Sequence, residues 1–276
     1  MLGAVALLLI AAPSAFADFF TPEHKGGSRN ADDINTLFVI AMIIGGVIFA
    51  AVEGVLVYSL IRFRKRRGGP EPAQIRGNTP LEMGWTVGAA VIVAVLAVIT
   101  FVFLGAVKNP EKSLPSGATA ANALQVASID QASVPRDHSL QIHVNGQQYL
   151  WRYDYPTIHG QQVFSYVDMY VPVGTTVTLK ITSSDVAHSW WIPKLGGKAD
   201  AIPGHTNSTW FRINKPGVYV GQCAELCGEN HADMHARVIA VPPDQFQAWV
   251  ARQGADIKDA QAKLSLARQI RGEGNP

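Results

Sequence analysis

The sequence contains little cysteine and little charge. Only two of its 276 residues are cysteines, Cys223 and Cys227, which is too few for a small secreted domain held together by disulfides. Charged residues make up 16 % of the chain, and basic and acidic side chains are nearly balanced beyond the first 107 residues. Recognition of nucleic acid needs a basic patch, so no nucleic-acid partner is predicted. The sequence also lacks a Cys-x-x-Cys-His motif, which excludes a c-type haem attached in this way.

Apolar residues are concentrated in the first part of the chain. Two runs, at 34–63 and 81–107, each exceed the ~20 apolar residues that a helix needs to cross a bilayer. A basic cluster at 62–67 lies between them, and neither outer flank is comparably basic. Positively charged loops remain in the cytoplasm, so residues 64–80 are predicted to be cytoplasmic and both flanks to face outward. The sequence therefore predicts a transmembrane helical hairpin over residues 34–107.

The regions around this hairpin have recognisable patterns of their own. An apolar run that ends in an A-x-A pattern at Ala17 is typical of a signal peptide, predicted over residues 1–17 with cleavage there. Residues 18–33 would then form a short periplasmic segment. Residues 108–137 are rich in Ala, Ser, Pro and Asn and are predicted to be a linker. Glu53 lies within the first span, and an ionisable residue there indicates packing against protein rather than lipid.

Beyond the linker, short alternating or β-branched runs are separated by turn sequences such as Asn-Lys-Pro-Gly. Such runs predict an all-β domain, a sandwich or barrel, over residues 138–250. After Pro243, apolar side chains at helical spacing predict a helix, and the tail at 251–276 has a helical composition. This tail is predicted to pack on a neighbouring chain or to remain mobile. The predicted strands are 140–144, 149–155, 162–171, 175–183, 208–213, 218–222 and 236–241.

One short segment of the outer domain carries several soft metal ligands. A further imidazole, that of His188, lies upstream of this segment. Thiolate and thioether groups select soft metals, and imidazole suits copper and zinc. Methionine is an unusual zinc ligand, so the mixture favours copper over a Cys₂His₂ zinc site. The ligand-rich segment contains Cys223, Cys227, His231 and Met234.

The number of these ligands exceeds what a single copper ion needs. A mononuclear electron-transfer copper binds two His, one Cys and a weak axial Met, so here a second Cys is left over. Two cysteine sulfurs can bridge two copper ions, with His188 and His231 each supplying a terminal nitrogen. Met234 and the backbone carbonyl of Glu225 would complete the two coordination spheres. A disulfide between the two cysteines is the competing interpretation.

The segment matches the motif C-x-E-x-C-x-x-x-H-x-x-M of cytochrome c oxidase subunit II at every position. Residues 183–190 resemble the family's first-ligand strand, and residues 193–204 resemble the stretch that follows it. Residues 81–86 resemble the start of the family's second membrane helix. The resemblance extends from about residue 34 to residue 250. It implies a two-helix transmembrane hairpin followed by an all-β cupredoxin-like barrel domain with a dinuclear copper centre, CuA.

The resemblance also implies roles for individual residues. The side chain of Glu225 matches a ligand of Mg²⁺ or Mn²⁺ shared with subunit I, and such ions prefer oxygen donors. Glu82 matches a carboxylate near the mouth of a proton-uptake channel. Tyr149 and Trp151 match the family's electron-accepting aromatic residues, but the first position is Trp in the family and Tyr here. Both aromatic residues can also be interpreted as core residues of the barrel. The implied copper ligands are His188, Cys223, Cys227, His231, Met234 and the carbonyl of Glu225.

The function implied by the resemblance is that of subunit II of an aa-type cytochrome c oxidase. Such a subunit accepts electrons from cytochrome c and passes them to haem in subunit I, where oxygen is reduced to water with proton translocation. The implied partners are subunit I, subunit III, cytochrome c and membrane lipid, with the copper domain on the periplasmic side of a bacterial inner membrane. The outer domain lacks the acidic excess that would steer a basic cytochrome.

Two other functions remain as alternatives. A CuA subunit of a nitric oxide reductase would share the copper motif, and the identity of its partner subunit would distinguish it from an oxidase subunit. A non-catalytic copper-binding protein needs neither Glu82 nor the hairpin. Nitrous oxide reductase requires a large His-rich domain, and this chain has only eight histidines.

Overall fold

The computed structural model describes residues 26–64, 74–113, 139–158 and 160–271. The predicted signal peptide, most of the predicted linker and part of the predicted cytoplasmic loop lie outside these residues. The chain divides into two compact units, one formed by Asn35–Gly105 and the other by the residues on either side. The elements are α1 (Arg29–Arg62), α2 (Thr79–Lys108), β1 (Leu140–Gln147), β2 (Leu150–Asp154), β3 (Phe164–Tyr166), β4 (Asp168–Pro172), β5 (Thr176–Ser183), β6 (His188–Trp191), β7 (Ala199–Ala201), β8 (Asn207–Arg212), β9 (Gly217–Cys223), β10 (His235–Val241) and α3 (Pro243–Ile270).

The helices α1 and α2 are long and apolar enough to cross a membrane. Their most apolar windows have mean hydropathies of 2.4 and 3.0. A 30-residue helix is about 45 Å long, which exceeds the ~30 Å hydrocarbon core of a bilayer. Large apolar side chains along both helices are exposed, among them Phe49 (67 %) and Phe101 (74 %). Apolar surface of this kind is stable in lipid.

The start of α2 is fixed by reciprocal hydrogen bonds. The Leu81 N–H donates to Oδ1 of Asn78 (3.2 Å), and the Asn78 N–H donates to Oε1 of Glu82 (3.1 Å). Asn is a favoured N-cap residue because its side chain satisfies a free N–H of the first helical turn. The carboxylate of Glu82 is also stabilised by the positive end of the helix dipole.

The outer domain consists of two five-stranded sheets with the orders β3-β2-β1-β5-β8 and β4-β10-β9-β6-β7. The pairs β1–β5 and β4–β10 are parallel, and the other neighbours are antiparallel. Side chains alternate between the two faces of a strand, so every second residue enters the core. In β1 these are Leu140, Ile142 and Val144, all without exposed surface. The prediction of an all-β outer domain is confirmed.

Some element bounds differ from those predicted. The run predicted as one strand over 162–171 forms two strands, β3 and β4. Between them lies Val167, whose φ of 62° is in the left-handed region and interrupts the extended backbone. The pattern of residues predicted neither β6 nor β7, since three or four residues are too few to show alternation, and a strand near β6 was implied only by the resemblance over residues 183–190. The helix α3 continues to Ile270, and its predicted apolar residues Phe246 and Trp249 are buried.

Two segments outside the sheets, residues 26–34 and 106–113, pack along β8 within the same unit. The side-chain amide of Asn30 donates to the carbonyl of Trp210 (2.7 Å), and the Trp210 indole donates to the carbonyl of Val107 (2.8 Å). The carboxylate of Glu111 pairs with Arg29 (2.7 Å) and with Arg212 (2.5 Å). These contacts join the two segments to one sheet edge of the outer domain.

Candidate metal centre

The pairing of β6 with β9 brings distant parts of the sequence together. His188 is the first residue of β6 and Cys223 is the last residue of β9, and Trp190 lies opposite Cys223 in the register. The remaining ligand candidates lie in the loop between β9 and β10. A hydrogen bond from the Cys223 N–H to the carbonyl of Met234 (2.9 Å) closes this loop.

All six predicted copper-binding groups converge in one place. The two sulfurs, Sγ of Cys223 and Sγ of Cys227, are 3.9 Å apart. Nδ1 of His188 is 3.9 Å from the first sulfur, and Nδ1 of His231 is 3.5 Å from the second. Sδ of Met234 is 3.9 Å from the Cys227 sulfur. The backbone oxygen of Glu225 is 3.2 Å from the Cys223 sulfur.

Burial and charge at this cluster fit a soft cation. His188 and Met234 have no exposed surface, and Cys223 and Cys227 are at most 5 % exposed. Burial, and then the neighbouring thiol of Cys223, raise the pKa of Cys227 to about 11. At neutral pH the Cys227 side chain is therefore a neutral thiol, and a nearby cation such as a bound metal ion would favour its thiolate form. The thioether in the cluster favours copper over zinc.

A carboxylate orients the first histidine. Oδ1 of Asp185 is 2.8 Å from Nε2 of His188, so a proton on Nε2 leaves Nδ1 free to face the sulfur of Cys223. Partial burial opposes ionisation of Asp185, but hydrogen bonds from the Gln148 N–H, from His188 and from the Val186 N–H lower its pKa to about 2. Histidine ligands of metals commonly have such a carboxylate partner. Asp185 was not predicted to have this role, although an acid three residues before a candidate ligand histidine is a visible signal in the sequence.

The two aromatic residues predicted to accept electrons have different environments. Tyr149 is partly buried, and its hydroxyl accepts a hydrogen bond from the Glu229 N–H (3.1 Å). Trp151 has no exposed surface, and its ring meets the His188 ring edge-on with centroids 5.8 Å apart. A Cβ added at Gly146 would lie 2.9 Å from the His188 ring, so only glycine fits there.

The two carboxylates assigned by resemblance lie in different units. The side chain of Glu225 is exposed beside the buried cluster. Among the described residues, the one group of three or more His, Cys, Asp and Glu side chains with metal-binding spacing is His188, Cys223 and Cys227, so Glu225 has no companion carboxylate within this part of the chain. Glu82 is in the first turn of α2, where it caps the helix.

Together, the two helices and the β-domain with its buried sulfur and imidazole ligands define a membrane-anchored, cupredoxin-like metalloprotein. Family profiles agree: cytochrome c oxidase subunit II, transmembrane domain, matches residues 24–103, and cytochrome c oxidase subunit II, periplasmic domain, matches residues 161–241. The chain belongs to the cytochrome c oxidase subunit II family.

Individual relatives agree with this assignment. Cytochrome c oxidase subunit 2 of Alkalihalophilus pseudofirmus is 33 % identical over 236 residues, which cover 84 % of this chain and 62 % of that protein. Cytochrome c oxidase subunit 2 of Synechocystis sp. is 31 % identical over 280 residues, which cover 90 % and 82 %. The chain thus spans less than two thirds of the first of these relatives. The crystal structure of the periplasmic domain of subunit II of cytochrome oxidase (CoxB) from Bradyrhizobium japonicum has 31 % identity and a TM-score of 0.41, covering 47 % of this chain and 99 % of that one.

Proposed function

We propose that this chain is the copper-bearing subunit of a haem–copper cytochrome c oxidase. It accepts electrons from cytochrome c and passes them to haem in subunit I, which reduces oxygen to water with proton translocation. The observation that carries this proposal is the pair of buried sulfurs 3.9 Å apart, each with an imidazole nitrogen within 3.9 Å. A bound copper pair supplies a one-electron redox couple there. The proposed ligands are His188, Cys223, Cys227, His231, Met234 and the carbonyl of Glu225.

The protein residues around this position hold the ligands and exclude water. The buried sulfurs of Cys223 and Cys227, 3.9 Å apart, would both hold the copper pair as thiolate ligands. Asp185 keeps a proton on Nε2 of His188 and thus directs Nδ1 inward. Met234, without exposed surface, would offer a weak thioether ligand at a position that water does not reach. A rigid ligand set limits the rearrangement that accompanies electron transfer.

Electrons reach this centre over its exposed rim. Tyr149 is partly exposed and is joined by its hydroxyl to the loop that carries Cys227. Leu226, between the two cysteines in sequence, is 79 % exposed and offers apolar contact area for a donor protein. Trp151 is buried against His188, so it lies behind the contact surface and on the inner side of the electron path. These positions favour a docking surface with an apolar centre.

The remaining assignments depend on other chains and on the membrane. The exposed carboxylate of Glu225 supplies one oxygen ligand to Mg²⁺ or Mn²⁺, and subunit I supplies the others. Glu82 serves proton uptake on the cytoplasmic side, and the copper domain lies on the periplasmic side of a bacterial inner membrane. Subunit III and membrane lipid complete the surroundings.

Metal content and spin state of the full chain test the proposal. The chain is purified in detergent, reduced, loaded with copper, and examined by metal analysis and electron paramagnetic resonance. We expect two coppers per chain and a delocalised mixed-valence signal. The variant Cys227→Ser should lose this signal, whereas Met234→Leu should keep two coppers because Leu fills the same buried space. One copper with a localised signal, or zinc in preference to copper, would contradict the proposal.

The reaction itself requires the partner subunits. When the chain is co-purified with its haem subunit, reduced cytochrome c should drive oxygen consumption. Reduction of nitric oxide without oxygen consumption would instead support the nitric oxide reductase alternative. Absence of any haem partner would support a non-catalytic copper-binding protein.

A further inference from the structure

We propose that the turn between β1 and β2 is a clamp that holds two ligand-bearing segments in place independently of metal. Gln148 is the central positioning residue of this clamp, and Tyr149 is its second member. The inference rests on the proposed function, because the segments held by the clamp carry the proposed copper ligands. The clamp itself is formed by hydrogen bonds that are complete without an ion.

Gln148 contacts both segments at once. Its side-chain Nε2–H donates to the carbonyl oxygen of Cys227 (2.7 Å). Its backbone N–H donates to Oδ2 of Asp185 (2.6 Å), whose other oxygen is 2.8 Å from Nε2 of His188. Gln148 and Asp185 therefore form a continuous hydrogen-bonded connection between two proposed ligands, one at the start of β6 and one in the loop between β9 and β10. The connection fixes the backbone of one ligand and the ring of the other.

Tyr149 holds the same loop one step further along. Its hydroxyl accepts a hydrogen bond from the Glu229 N–H (3.1 Å). The intervening Gly228 has φ 133°, and a Cβ added there would lie 2.6 Å from the Tyr149 hydroxyl oxygen. The loop approaches the turn so closely that only glycine fits between Cys227 and Glu229. The two side chains thus hold the loop at consecutive backbone groups.

This arrangement matters because the backbone hydrogen bonds of residues 228–233, from the His231 N–H to the Gly228 carbonyl and from the Asp233 N–H to the Asn230 carbonyl, lie within the loop itself. Residues 228–230 are exposed and belong to no helix or strand. Metal ligands function well only when supporting hydrogen bonds keep them within about 0.5 Å of their working positions. Without the clamp, the backbone at Cys227 would be free to move. The distance between the sulfurs of Cys227 and Cys223 would then no longer be fixed. Tyr149 is hydrogen-bonded directly to this loop, so a partner that docks on Tyr149 also contacts a residue that holds the proposed ligands in place.

Three variants of the full chain in detergent separate the clamp from general stability. Gln148→Leu removes the bond to the Cys227 carbonyl, and Tyr149→Phe removes only the hydroxyl. The matched control is Gln147→Leu at the end of β1, next to the turn, because within the described residues the Gln147 side chain makes no hydrogen bond. Amide hydrogen exchange is measured on the reduced, metal-free chain. The release of copper to a chelator and the copper hyperfine splitting are measured on the loaded chain.

We expect Tyr149→Phe to accelerate exchange of the Glu229 amide by about fivefold, the effect of losing one hydrogen bond. Gln148→Leu should accelerate copper release by about tenfold and alter the hyperfine splitting while two coppers still bind. Gln147→Leu should behave as the unaltered chain. Equal exchange and equal copper release in all three variants would overturn the clamp. Acceleration spread evenly over the whole β-domain would overturn it as well, because it would indicate general destabilisation.

The two proposals fail differently. If the unaltered chain binds fewer than two coppers, the proposed function fails. The amide exchange of the metal-free chain still decides whether Tyr149 holds the loop.

Discussion

Asp185 and His188 are joined by a 2.8 Å hydrogen bond between Oδ1 and Nε2, which turns the other ring nitrogen toward the sulfur of Cys223. Three of the four partners of this carboxylate are local, since Ser183, Val186 and His188 lie within three residues of it. The fourth partner is the backbone N–H of Gln148, which lies in the turn between β1 and β2. The carboxylate therefore sets both the orientation of a proposed ligand and the negative charge near the metal.

Replacing this carboxylate by an amide tests its two effects. In Asp185→Asn the side-chain oxygen can still accept a hydrogen bond, but the negative charge is lost. We expect two coppers to bind with about tenfold lower affinity, the usual cost of weakening a partner of a metal ligand. The reduction potential should rise, because a negative charge favours the more positive oxidised state. Redox titration of the copper-loaded chain measures this shift.

A second carboxylate variant provides the control for charge alone. Asp233 is exposed and precedes Met234 in the sequence, and its side chain does not bond to a proposed ligand within the described residues. Asp233→Asn should shift the potential less than Asp185→Asn does. Equal shifts in the two variants would mean that the hydrogen bond to His188 has no influence on the centre.

The spacing of the cysteines predicts a competing oxidation. Their sulfurs are 3.9 Å apart, and a disulfide needs only a small movement to bring them to about 2.05 Å. In the absence of metal, a mild oxidant should therefore remove both free thiols and abolish copper binding. Dithiothreitol should restore both properties. Thiol titration before and after oxidation measures the change, and retention of both thiols after treatment would contradict the prediction.

Glu82 has a capping role that must be separated from proton uptake. In Glu82→Gln, the side-chain oxygen can still accept from the Asn78 N–H, but the group no longer titrates. Glu82→Ala removes both properties. If Glu82 serves proton uptake, the two variants should slow oxygen consumption by the assembled oxidase to a similar extent. Normal turnover in Glu82→Gln with loss only in Glu82→Ala would leave Glu82 as a helix cap.

The ion pair of Glu111 and Arg212 predicts a stability difference. Their side chains are 17 % and 15 % exposed, so removal of the acid leaves a largely buried cation without its partner. We expect Glu111→Gln to lower the free energy of unfolding by about 2 kcal/mol. Asp168→Asn, which breaks a more exposed pair with Arg237, should cost less. Thermal melting followed by near-ultraviolet circular dichroism compares the two, and a reversed order would refute the argument.

Sequence reasoning works best where chemistry and spacing coincide. Four of the proposed ligands lie close together in the sequence, so a single short motif was enough to predict that their side chains converge on one site. These are Cys223, Cys227, His231 and Met234. The strands of the core were predictable for a similar reason, since alternating residues such as Leu140, Ile142 and Val144 must face the same side.

Features that depend on contacts between distant segments were not predictable in this way. Asp185 and Gln148 acquire their roles only when the β1–β2 turn meets the loop before β6, and no periodicity in the sequence indicates such a meeting. Val167 interrupts an apparently continuous strand because its backbone adopts a positive φ, which a valine side chain does not signal. Tertiary structure determined both outcomes.

The pairing of β6 with β9 has a consequence for the order of events in the cell. His188 and Cys223 are 35 positions apart and become neighbours only through this pairing. In a nascent chain the thiols and the imidazole are therefore far apart, and the complete binding site exists only after β6 has paired with β9 within one sheet. We therefore expect metallation to follow the folding of this domain. Under copper starvation, the cell should accumulate folded, inactive subunits rather than unfolded ones, ready to be activated when the metal returns.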